Sequence, residues 1–162
     1  MNNRGFSLIE LIVVIAIIGA LFTLAGIEFN NWIKRYNIER EIKEMYVDLM
    51  NTRARAMQRN RTHFITLGTT SYTVYEDTNP APDGDGTLQT GSDTVITALS
   101  KTIQDTINWN GSGNISFDSR GLASPAGSLS LTTTSTPEYD CIVVYYTRLN
   151  LGKWSGSSCN AK

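Results

Sequence analysis

The sequence predicts an α+β protein: one long N-terminal α-helix, transmembrane over its first half, packed on an antiparallel β-sheet domain. Three observations carry this. From Phe6 to Ile27 the chain is apolar except for one ionisable side chain, Glu10. From Glu28 to about Asn60 it becomes amphipathic at helical spacing without a strong break. Beyond Asn60 helical periodicity stops, and short β-type segments alternate with Gly, Pro, Ser and Asn clusters.

At 162 residues the chain holds one domain plus an anchor. Its net charge of −1 recruits neither nucleic acid nor an anionic surface by global electrostatics. Charged residues are 18%, diluted by the apolar run and by a C-terminal half rich in Ser, Thr, Asn and Gly. Such composition suits β-structure with polar turns in an extracytoplasmic setting.

A run of about 20 apolar residues is long enough to cross a bilayer as a helix. Residues 6–27 therefore read as a single-pass span preceded by a short leader carrying Arg4. Glu10 is the anomaly in it. A carboxylate at membrane depth costs at least ~2.5 kcal/mol and should have a partner and a role.

In the amphipathic stretch, Phe29, Trp32, Ile33 and Tyr36 begin a face that Ile38, Ile42, Met45, Tyr46, Leu49, Met50 and Met57 extend. Glu39, Arg40, Glu41, Lys43, Glu44 and Asp48 form the opposite, polar face, with Glu39–Lys43 and Arg40–Glu44 as opposite-charge pairs one turn apart. A helix from about Ser7 to Asn60 would be ~80 Å long. The strand candidates are His63–Leu67, Tyr72–Tyr75, Thr94–Leu99, Thr102–Trp109, Asn114–Asp118, Ser128–Thr132 and Cys141–Thr147. Ile142–Tyr146 is the most apolar of these and reads as a central strand.

Cys141 and Cys159 lie near the C-terminus. In an oxidising compartment one disulfide closing a short loop is expected; two free thiols is the alternative. Trp32, just past the apolar run, sits where an interfacial aromatic belongs. Trp109 is expected to close a strand over the core. Trp154, inside the loop a Cys141–Cys159 bridge would close, is placed to cover a sheet edge or meet a neighbour.

Gly5-Phe6-Ser7-Leu8-Ile9-Glu10, after a basic leader and before the apolar run, resembles the class III signal of type IV pilins and type II secretion pseudopilins. The resemblance implies a leader, residues 1–5, removed by prepilin peptidase between Gly5 and Phe6, and N-methylation of Phe6. It implies that Glu10 supports assembly by pairing with the N-terminal amine of a neighbouring subunit. It implies a lollipop architecture: residues 6–27 as membrane span and filament-core helix, 28–60 as helix packed on the domain, and 61–162 as the globular domain. Main pilus subunits of the family commonly carry proline where this chain has Ile27, so the departure points to a minor subunit. The order of the later segments is similar to H-type minor pseudopilins and FimT-type minor pilins. They run from the helix end Thr52–Asn60 through the acidic loop with Gly84-Asp85-Gly86 and Ile115–Gly121 to Ile142–Thr147.

The function expected is therefore a structural subunit of a type II secretion pseudopilus or type IV pilus. It would be anchored in the bacterial inner membrane, its domain periplasmic, with other pilins and the inner-membrane assembly platform as partners. A DNA-binding role in natural transformation is the alternative, with Arg148 and Lys153 as candidate contacts. The basic motif of DNA-binding FimT-type pilins is incomplete here, and Arg148, Lys153, Lys162 and Trp154 form only a thin cationic set for phosphate. Arg53, Arg55, Arg59 and Arg61 suit a helix C-terminus without any ligand.

No cofactor is expected. Asp77, Asp83 and Asp85 offer oxygen ligands of the kind calcium takes, but the spacing departs from a calcium loop: Ala81 and Pro82 stand where a ligand and glycine are required. The bland reading is a solvated turn. An enzyme is not expected either. His63 is the sole histidine, and no nucleophile elbow or phosphate loop is present.

Overall fold

The computed structural model describes residues 7–162, with the side chains of residues 23–28 outside that description. Helix α1, Leu8–Arg59, is 52 residues long, about 78 Å at 1.5 Å per residue. It stops at Asn60, which takes the left-handed conformation (φ 55°, ψ 38°) open to asparagine. There the N–H groups of Asn60 and Arg61 both donate to the Ala56 carbonyl, satisfying a terminal acceptor.

After the helix the described residues form eleven strands, every pairing antiparallel: β1 (His63–Leu67), β2 (Ser71–Glu76), β3 (Thr94–Val95), β4 (Lys101–Thr102), β5 (Ile107–Trp109), β6 (Ile115–Phe117), β7 (Ala123–Ser124), β8 (Gly127–Leu131), β9 (Cys141–Val144), β10 (Leu149–Trp154) and β11 (Cys159–Ala161). They form two sheets. One is ordered β3-β2-β1-β6-β7, with β4 also pairing β2; the other is β11-β10-β9-β8-β5. β9 is the central strand of the second sheet, and all four of its residues are buried. Cys141 on β9 and Cys159 on β11 are joined by a disulfide, Cα atoms 6.0 Å apart. Gly152, between them on β10, has no room for a side chain: a Cβ would meet Cys159 Sγ and the Asn160 carbonyl.

Helix α1 packs against both sheets, touching β1 and β6 of one and β9 and β10 of the other. Its contact stripe is Ile38, Ile42, Met45, Leu49, Thr52 and Ala56, all buried. Each large apolar member contributes about 2 kcal/mol by leaving water. The stripe joins Ile65, Val74, Ile115, Phe117, Leu129, Ile142 and Val144 in a single core.

The expected helix faces need correction at both ends of the polarity scale. Phe29, Trp32 and Tyr36 are not on the core stripe but exposed, as are Met50 and Met57. Conversely, Glu41 and Asp48, expected to face solvent, are 6% and 5% exposed. The reason is a second packing partner, residues 100–105, laid along the polar side of the helix. Glu41 accepts the amides of Gln104 (3.1 Å) and Asp105 (3.4 Å). Asp48 accepts the Tyr72 hydroxyl at 2.6 Å and the Lys101 ammonium at 2.8 Å. Glu44 takes the same ammonium at 2.7 Å, while Glu39 holds Lys43 at 3.2 Å and the Glu138 amide at 2.7 Å.

These contacts leave their mark on titration. Burial alone would lower Lys101, but the hydrogen bonds to Asp48 and Glu44 outweigh it and hold the ammonium above its usual range. Tyr72 is pushed up by burial and then by the Asp48 carboxylate.

Two expected strands also break. Thr94–Leu99 pairs only over β3 and then turns through one 3-10 segment, Thr97–Leu99; Thr102–Trp109 divides into β4 and β5. Between β4 and β5 the amides at 104 and 105 go to Glu41 instead of a ladder partner. Cys141–Thr147 ends as a strand at Val144, and Trp154, inside the loop that the disulfide closes, is the last residue of β10.

Two stability predictions arise here. Asp48→Ala strips Tyr72 and Lys101 of a shared buried acceptor and should cost about 3 kcal/mol, read by urea unfolding of the detergent-solubilised chain; a loss below about 1 kcal/mol would contradict the clamp. His63, fully buried, has Nδ1 3.2 Å from the Arg61 carbonyl and Nε2 without a partner. Burial lowers its pKa, reinforced by Arg55 and Arg59 and opposed by the Arg61 carbonyl and Glu76. The neutral ring is thus favoured by folding, so its stability is complete above the ordinary histidine pKa of about 6.5 and is lost as pH falls below it. His63→Gln should therefore flatten the loss of unfolding midpoint between pH 7 and pH 5 relative to wild type. Asp77 and Asp105, both raised by burial, pull the other way at lower pH in both proteins.

Candidate assembly site

Over Leu8–Phe22, α1 presents a side-chain surface that the described part of the chain does not cover. From Leu8 to Phe22 every side chain is exposed, including Leu8 at 77% and Phe22 at 73%. At about 2 kcal/mol for each large apolar side chain, leaving this segment in water would cost on the order of 20 kcal/mol. That is more than the net stability of most domains. The segment needs a lipid or protein environment. Among the described residues, no helix is long and apolar enough to cross a membrane; the expected span 6–27 includes residues outside the description.

Glu10 occupies the third position of the helix, exposed, in its first turn. Ser7 is the N-cap, and its hydroxyl accepts the Glu10 amide at 3.3 Å while its carbonyl accepts the Glu10 and Leu11 amides. Ser7-Leu8-Ile9-Glu10 is thus a capping-box sequence. A carboxylate there is favoured by the positive end of the helix dipole. Treating Glu10 only as an unpaired acid in an apolar run misses this; the Ser-x-x-Glu spacing is the signal that carries it. Gly5 and Phe6 lie outside the described residues.

The other candidate residues are dispersed. The Arg148 guanidinium sits 4.7 Å over the Tyr145 ring in the β9–β10 turn. Lys153 is opposite Asn160 at the far end of β10, five residues or about 16 Å along the strand. Arg61 is engaged by Glu76 at 3.3 Å, by the Pro82 carbonyl and by Asp83 at 3.6 Å.

The acidic loop is only partly solvated. Asp77 and Asp93 are buried, with the Asp77 carboxylate accepting the Gly86 amide at 2.7 Å. Asp93 accepts the amides of Thr78, Asn79 and Gln89. Asp85 accepts the Thr87 amide at 2.8 Å and the Gln89 side chain at 2.9 Å. Gly84, at φ +78°, passes so close to Asp77 that no Cβ fits. Among the described residues, no group of three or more His, Cys, Asp or Glu side chains is arranged to hold a metal ion.

Comparison with known proteins gives two matches. Residues 1–26 match the prokaryotic N-terminal methylation motif. Residues 41–145, more than half of the chain, match type II transport protein GspH. No curated protein and no solved structure matches. The second match takes in the docked part of α1 and both sheets as far as the β9–β10 turn, while the first covers the exposed helical segment, and that family is membrane-anchored and assembled into a pilus or pseudopilus. The chain therefore belongs to the type II transport protein GspH family of pilin-type structural proteins.

Proposed function

We propose that this chain is a minor subunit of a type II secretion pseudopilus, held in the bacterial inner membrane by residues 6–27 with its globular domain in the periplasm. Prepilin peptidase removes residues 1–5, Phe6 becomes the methylated N-terminus, and the assembly platform draws the subunit into a short filament. The observation that carries this reading is the continuity of α1: one 52-residue helix is bare and apolar at its start and locked to two sheets at its end. A subunit so built can exchange lipid for neighbouring helices around its first half without disturbing its domain.

In the filament the Glu10 carboxylate pairs with the Phe6 amine of a neighbour, each neutralising a charge costly to bury alone. Glycine before the scissile bond leaves the backbone open to the peptidase.

Two experiments test the reading. Gly5→Val should leave the precursor unprocessed, so that mass spectrometry of membranes finds only the full-length chain; appearance of the mature mass would refute the processing site. Glu10→Ala and Glu10→Gln should both be processed and inserted normally, yet enter filaments at about a tenth of the wild-type level or less. Glutamine retains capping ability without charge. If Glu10→Gln assembles normally while Glu10→Ala does not, Glu10 acts as a cap and the charge-pairing mechanism fails.

A further inference from the structure

Phe29, Trp32 and Tyr36 form a continuous ladder on α1. Phe29 and Trp32 have centroids 6.2 Å apart with planes at 25°, Trp32 and Tyr36 5.9 Å apart at 20°. All three rings are about 60% exposed. At about 100° per residue they point some 140° away from the stripe of Ile38, Ile42, Met45 and Leu49 that docks on the sheets. The chain's own domain therefore cannot cover them.

The ladder's position and limits point to its occupant. From Leu8 to Phe29 the helix advances about 32 Å, close to the ~30 Å hydrocarbon thickness of a bilayer, so the rings begin where the hydrocarbon ends. Phe29 to Tyr36 spans about 10 Å of axis, enough to cross one headgroup layer of roughly 5–8 Å. Tryptophan and tyrosine favour that layer because each has an apolar body and a polar edge. Lys34 and Arg35, both exposed, stand within the same turns and supply cations for anionic headgroups. A seam for another helix would run unbroken along the face, but Arg40 and Lys43 interrupt it before the exposed Val47 and Met50.

We propose that Phe29, Trp32 and Tyr36, with Lys34 and Arg35, form a lipid-headgroup collar that sets the depth of the helix in an anionic bilayer before the subunit is extracted. This rests on the membrane-anchored reading above. The collar holds the base of the domain, where Lys34, Asn37, Gln104 and Asp105 help line a cavity, at the outer edge of the headgroups. Extraction into the filament must strip it from the lipid.

The test uses the full chain in vesicles of equal parts phosphatidylcholine and phosphatidylglycerol, with bromine on the acyl chains either near the headgroup or near the bilayer centre. Flotation first reports anchoring. The chain has three tryptophans, so quenching of one should remove about a third of the emission. The expected result is that shallow bromines quench more than deep ones, and that Trp32→Phe floats equally well but loses the quenching. A chain that floats with Trp32 unquenched overturns the collar and leaves the anchor intact. Shielding of that unquenched Trp32 from acrylamide would assign the ladder to a neighbouring helix. Stronger quenching by deep bromines also overturns the collar, since the rings would then lie in hydrocarbon. Failure to float overturns the anchored reading and the collar with it.

Discussion

Everything in this molecule depends on one helix being held along two sides at once. The apolar stripe from Ile38 to Ala56 is the common wall of two separate sheets, so neither sheet closes its core without it. Hydrophobic contact is non-directional and would tolerate sliding or rotation of a smooth helix. The flanking carboxylates remove that freedom. Glu39, Glu41, Glu44 and Asp48 accept directional hydrogen bonds from residues 138, 104, 105, 101 and 72, which belong to different parts of the fold. The register of the helix on the domain is thereby pinned by groups costly to leave unpaired.

That docking explains how the two halves of α1 can obey different rules. After Ile38 the helix is part of a folded domain, with Glu41 and Asp48 as buried as its apolar stripe. Before it, the described side chains make no core, and the helix persists through its backbone hydrogen bonds and a capped start at Ser7. A filament subunit of this family has to tolerate a complete change of surroundings around one half, and the pinned register isolates the domain from that change.

Much of this is legible in local pattern. The helix limits, the start of β1, the central position of β9 and the location of β6 and β8 follow from periodicity and turn residues within a few positions. The expectation of a solvated polar face fails at Glu41 and Asp48. A carboxylate at helical spacing looks the same whether it meets water or a backbone segment about 60 residues away. Local spacing groups Phe29, Trp32 and Tyr36 with the core because intervals of three and four recur on every face of a helix. Only the phase relative to Ile38 separates them, and the apolar residues between blur it. Asp77 and Asp93 look like loop acids exposed to solvent; both are buried because the loop folds its own amides onto them.

By itself the sequence determined the single long helix, its bare apolar beginning, the Ser7 cap, the Asn60 stop and the β-rich character of residues 61–162. Each of these depends on neighbours within one or two turns, where spacing and residue type are sufficient. Tertiary structure alone decided that the strands divide into two sheets, that residues 103–106 leave the ladder, and that four acids of the helix become clamps. Those outcomes hang on partners tens of residues distant. They are set by which buried donors must be satisfied once the core has closed, a condition that no local window contains.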